Sequence, residues 1–62
     1  GGDGFVRQGD VLAQCGRRDE AIASYRAALT AIAELPERHR TTVPVEKLAR
    51  DARLSLERLS AR

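Results

Sequence analysis

The 62 residues carry a formal net charge of +2, with one Cys, one His, one Tyr, one Phe and neither Trp nor Met. That length holds one small domain and excludes a two-domain enzyme; the lone Cys excludes an internal disulfide, and the lone His leaves no plausible zinc set. No apolar run approaches the ~18 residues of a bilayer span and no signal-peptide pattern opens the chain, so a cytoplasmic protein without membrane insertion is expected.

Residues 1–4 (Gly-Gly-Asp-Gly) read as a flexible leader, and the opening without Met fits a piece of a longer or processed chain. Residues 5–62 are expected to form one domain of three helices, over about 5–15, 19–35 and 44–60. In the first, Phe5, Val6, Leu12 and Ala13 share a face, and Gly9 falls on it, where a missing side chain admits a neighbouring helix. Gly16 stands where a helix-ending glycine in the left-handed conformation belongs, and Arg17-Arg18 form a turn beside the negative end of that helix.

The second helix is the clearest. Asp19 can cap it and Glu20 adds negative charge to its first turn. Ala21, Ile22, Tyr25, Ala28, Leu29, Ile32 and Leu35 fall within an arc of roughly 160°, while Glu20, Ser24, Arg26, Thr30 and Glu34 take the rest. Pro36 ends the helix by pushing Leu35 towards extended geometry. Residues 36–43 are polar and read as a loop. Pro44 fits the first position of the third helix and Glu46 its first turn. Val45, Leu48, Ala49, Ala52, Leu56 and Leu59 then form a tight apolar stripe opposite Lys47, Arg50, Glu57 and Arg58. Leu54 breaks the pattern, about 180° from the stripe centre among those charges. No segment alternates with period two, so the fold class is all-α, an antiparallel three-helix bundle. Ten of the apolar residues are Ala, which leaves a thin core that a partner, a second copy or a longer parent chain would complete.

The run Gly9-Asp-Val-Leu12-Ala-Gln-Cys-Gly16-Arg-Arg-Asp-Glu-Ala21-Ile-Ala-Ser-Tyr25-Arg-Ala-Ala28-Leu29 resembles a tetratricopeptide repeat. That family places small residues at the positions of Gly9, Ala21 and Ala28, a turn glycine near Gly16 and an aromatic at the position of Tyr25, with Leu12 and Leu29 as companion packing positions. The resemblance spans about half the chain, from Phe5 to Pro36. It departs from the family in lacking the large residue early in the first helix, unless Phe5 substitutes, and in carrying Pro36 about three residues late. The third helix then looks like the terminal helix that caps such arrays. A second resemblance is to the microtubule-interacting and trafficking domain, through the Glu20-Ala21-Ile22-x-x-Tyr25 pattern and, weakly, Leu56-Glu57-Arg58. That resemblance implies binding of amphipathic peptide tails beside the third helix, near Leu48 and Ala52. On the number of matching positions the tetratricopeptide reading leads.

Catalysis has little foothold. Cys15 ends a helix, where the dipole disfavours a thiolate, and His39 lies at the opposite end of the hairpin, about 24 Å away at 1.5 Å per residue. A packed Cys and a solvated His are the plainer reading, and neither an enzyme nor a cofactor is expected. Nucleic acid is disfavoured as a partner: Arg17-Arg18 and Arg38-His39-Arg40 are placed at opposite ends of the hairpin, and no exposed aromatic is expected to stack on bases. Protein binding is better motivated. Leu54, flanked by Arg50 and Arg58, is a large apolar group without an internal role, and Ala23, Ala27 and Ala31 form a smooth ridge on the outer face of the second helix. The plainer readings are an ordinary surface leucine and three good helix formers. Together they point to a protein-protein interaction module that takes a helical segment of a partner or a second copy of itself.

Overall fold

The computed structural model describes residues 2–61. Among them the chain is all-helical, with four helices: α1 (Gly2–Gln14), α2 (Arg18–Ala33), α3 (Glu37–Arg40) and α4 (Val43–Ser60). α2 packs against both α1 and α4, while α1 and α4 touch each other only marginally. The register runs antiparallel at both interfaces. Gly2 lies against Ile32 and Gly9 against Tyr25 across α1–α2, and Arg18 at the start of α2 reaches Leu59 at the end of α4.

Local chemistry accounts for most of the boundaries. At the end of α1, the Gly16 N–H donates to Ala13 O at 3.1 Å and the Arg17 N–H to Leu12 O at 2.9 Å. Those are the two reversed bonds of a Schellman cap, and they need the positive φ of Gly16, which is 77°. α2 starts at Arg18 without a side-chain cap, so Asp19 lies inside its first turn rather than capping it. Arg17 is held instead by Glu20, at 2.7 Å. The Arg18 guanidinium donates to the Leu59 carbonyl, one of the last four of α4 that have no partner within the helix. The expected role of Arg18 at the end of α1 is thus corrected to one at the end of α4.

Three further boundaries differ from the sequence expectation. Residues 2–4, read as leader, belong to α1, where the bare Gly2 backbone lies on Ile32; Gly1 is outside the described residues. α2 stops at Ala33 rather than Leu35: the Leu35 N–H donates to Ile32 O at 3.1 Å, an i→i−3 bond that closes the last turn, and Pro36 disfavours helical geometry at the residue before it. The loop after Pro36 holds a single helical turn, α3. Its carbonyls are satisfied by the hydroxyls of Thr41 (to Glu37 O, 3.0 Å) and Thr42 (to His39 O, 2.9 Å). Thr42 then leads into α4, with Pro44 at the second helical position, where its missing N–H costs nothing.

The core is built mainly from small residues. Ala21, Ala28 and Ala52 are fully covered, Tyr25 is 2% exposed, and Val6 completes the central cluster. Leu12, Ala13, Leu29, Leu48, Leu56 and Leu59 pack around it half-buried, so the stripe expected on the last helix does face inward. Two face assignments are corrected. Phe5, expected in the core, is 39% exposed, because the contact line of α1 runs through Gly2, Val6, Gly9 and Ala13, and Phe5 lies about 100° from Val6. Ser24, expected on the polar side of α2, is buried. The accessible surface is 4505 Å², against roughly 4,000 Å² for a compact monomer of this mass. The excess follows from two flanking helices that both rest on α2 and hardly cover each other.

Candidate interaction site

Two open clefts follow α2. One lies between the C-terminal half of α2 and the N-terminal half of α4, holds about 570 Å³, and is lined by Leu29, Ile32, Ala33, Arg40, Glu46, Ala49, Arg50 and Arg53. Its floor is aliphatic and its rim charged. α4 supplies Arg50 and Arg53, one turn apart on the same edge as residues i and i+3. α3 precedes α4 by two residues and carries Arg40 to the same rim. Three guanidinium groups thus face one carboxylate, that of Glu46. Among the described residues the salt bridge within 4.0 Å is Arg17–Glu20, so none of these three arginines is held in an ion pair.

The second cleft, about 390 Å³, opens at the other end of α2 and is lined by Asp10, Ala13, Gln14, Tyr25, Ser55, Arg58 and Leu59. Its polar centre is the Tyr25 hydroxyl, which donates to Asp10 Oδ1. Burial, and then the bond to Asp10, push the Tyr25 hydroxyl above its ordinary pKa of 10.0, with a smaller opposing effect from Ser55. The bond ties α2 to α1, and Ser55 and Arg58 of α4 line the same cleft.

The residues proposed from sequence do not converge. Leu54 is 48% exposed on α4 and lines neither cleft. Ala23 is exposed, but Ala27 and Ala31 are half-buried, so the ridge is only partly on the outside of α2. Arg50 lines the first cleft and Arg58 the second, which separates two residues expected to flank one surface. Of the expected packing positions, Gly9, Ala21, Tyr25 and Ala28 meet in the core, Leu12 and Leu29 pack beside them, and Gly16 turns the chain. Sequence reasoning missed Arg40, Arg53 and Glu46. Arg40 was visible in the Arg38-His39-Arg40 cluster, but only α3 brings it over α4. Cys15 is exposed, and among the described residues no group of three or more His, Cys, Asp and Glu side chains is placed to hold a metal. Among the same residues no helix is long and apolar enough to cross a membrane. Comparisons with protein-family models, with curated proteins and with solved structures find no match for this chain.

Proposed function

We propose that this chain is a non-enzymatic interaction module of the cell interior, an antiparallel three-helix bundle of α1, α2 and α4 that binds a peptide or helix of another protein. The observation that carries this reading is where apolar surface lies. The fully covered residues are alanines, whereas Phe5, Val11, Leu35, Val43 and Leu54 are all exposed. Surface of this kind is stabilised when a partner covers it. The hairpin of α1 and α2 supports a likeness to a tetratricopeptide unit: Gly9 lies under the ring of Tyr25, and Ala21 and Ala28 occupy the crossing. In that likeness α4 takes the place of the helix that closes an array. A microtubule-interacting and trafficking type of module would use the clefts beside α4 for amphipathic tails.

Sedimentation equilibrium over a wide concentration range, with helicity followed in parallel, tests the reading. A folded monomer at every concentration leaves the exposed apolar side chains free for a foreign partner, as proposed. A dimer whose helicity falls on dilution would overturn it in favour of a self-associating structural bundle, in which folding and association are one event.

A further inference from the structure

The cleft between α2 and α4 sets a floor of aliphatic side chains, Leu29, Ile32 and Ala49, which also pack inward, beneath a rim of three arginines that among the described residues make no ion pair. We propose that it docks a short acidic peptide segment of another protein, with carboxylates on Arg40, Arg50 and Arg53 and an aliphatic side chain on the floor. The proposal rests on the interaction-module reading and names the chemistry of its partner.

Charge complementarity fixes the sign of the occupant. Three guanidinium groups oppose one carboxylate around the cleft, and planar guanidinium forks pair with carboxylates through two parallel bonds. The floor fixes the class. A nucleic-acid strand would gain from aromatic faces on which to stack its bases, but Tyr25 is buried and Phe5 is on α1, so neither lines this cleft. Aliphatic side chains interleaved with carboxylates satisfy floor and rim together, and a peptide carries both at the required spacing. The arginines come from two elements, α3 and α4, so a bound segment also bridges the short helix to the body of the domain.

The test is titration of the ¹⁵N-labelled chain with an acidic peptide of alternating Glu, Asp and Leu. Parallel titrations use its charge-reversed Lys–Leu counterpart, a poly-uridine oligonucleotide and phosphatidylserine vesicles. The expected result is binding of the acidic peptide alone. Shifts should centre on the amides of Ile32, Ala49, Arg50 and Arg53, and affinity should fall as salt rises. The double variant Arg50→Glu/Arg53→Glu should bind roughly tenfold more weakly or worse. Both residues are exposed, but the reversal sets carboxylates four residues from Glu46 and from Glu57, so helicity is checked against the parent; Arg53→Gln, which removes a single charge and adds no like-charge pair, serves as the second variant with a smaller loss. Unaltered affinity in both variants overturns the proposal. Shifts confined to another face, or binding of the Lys–Leu peptide instead, overturn the cleft assignment while leaving the interaction-module reading intact. Binding of the oligonucleotide or the vesicles without the peptide overturns both.

Discussion

The ring of Tyr25 rests on the bare backbone of Gly9, so close that a β-carbon built at Gly9 would stand 2.8 Å from Cε1 and 2.9 Å from Cζ. This contact sets the separation of α1 and α2 and explains why a glycine stands in the middle of a helix. Ala in place of a helix-interior Gly ordinarily stabilises by about 0.5–1 kcal/mol. Here the ring cannot step aside, since Tyr25 is 2% exposed and its hydroxyl is held by Asp10. Overpacking of about 1–3 kcal/mol should exceed the gain. Gly9→Ala is therefore expected to lower the urea midpoint. Gly4→Ala, on the same helix with nothing within 4 Å of its would-be β-carbon, should leave it unchanged or raise it. Equal effects at the two sites would contradict the packing account.

The hydroxyl of the same tyrosine makes stability depend on alkaline pH. Burial and the bond to Asp10 raise its pKa in the folded state, whereas the unfolded chain keeps the ordinary value of 10.0. The unfolded state therefore releases this proton first as pH rises. The contribution is fully present below pH 10.0 and is lost as pH climbs through the raised folded value. Tyr25→Phe should cost about 0.5–1.5 kcal/mol at neutral pH, for the lost hydrogen bond. It should also remove this component of the decline above pH 10.0, read by thermal melts across the alkaline range. A parallel decline in both proteins would show that other groups drive it.

The legible part of this fold is what period and punctuation encode. The crossing residues Gly9, Ala21, Tyr25 and Ala28 could be placed because one face of each helix repeats them at helical spacing, and Gly16 because a left-handed cap selects glycine. Phe5 was misplaced because an apolar residue next to Val6 looks like part of the same face, although small residues, not large ones, form the contact line of α1. α3 has no apolar period at all: its four residues are Glu-Arg-His-Arg, all exposed, and threonine hydroxyls hold its carbonyls. The first cleft was hidden for the same reason, since its rim joins Arg40 to arginines on another helix and only tertiary packing decides which charges meet.

The cap at the end of α1 can be tested alone. Gly16 holds a φ of 77°, and nothing lies within 4 Å of the position where its β-carbon would be. Gly16→Ala is thus free of any clash and reports the backbone term, roughly 1–2 kcal/mol for an L-residue in the left-handed region. The loss should show in denaturant midpoints without a change in slope. A stabilised variant would mean that the turn does not require this geometry.

The alanines at the crossing should tolerate enlargement less well than the half-buried leucines tolerate exchange. Ala21, Ala28 and Ala52 are fully covered, so a leucine at any of them must displace a helix. Ala28→Leu or Ala21→Leu is expected to cost ~1–3 kcal/mol or to abolish folding, whereas Leu56→Ile, at a half-buried position, should stay within about 1.5 kcal/mol. Circular dichroism melts distinguish the two classes. An unchanged melting temperature for both alanine variants would remove the close crossing from the account of the fold.

Leu54 is the position where association and folding can be separated most cleanly. It is 48% exposed and lines neither cleft, so Leu54→Asp removes little internal packing. Arg50 and Arg58 stand four residues before and after it on α4 and Asp51 and Glu57 three, so a new carboxylate meets two favourable and two unfavourable pairs of about 0.2–0.5 kcal/mol each. These pairs roughly cancel, so the variant monomer should stay helical, with a loss of about 1 kcal/mol from the half-exposed leucine and the lower helix propensity of Asp. If copies of this chain meet through Leu54, the substitution abolishes the dimer in sedimentation equilibrium while the monomer stays helical, a loss that unfolding cannot explain. If Leu54 faces only solvent, the mass is unchanged and the melting temperature moves little, while acidic-peptide binding at the α2–α4 cleft weakens modestly, because the new carboxylate competes for Arg50.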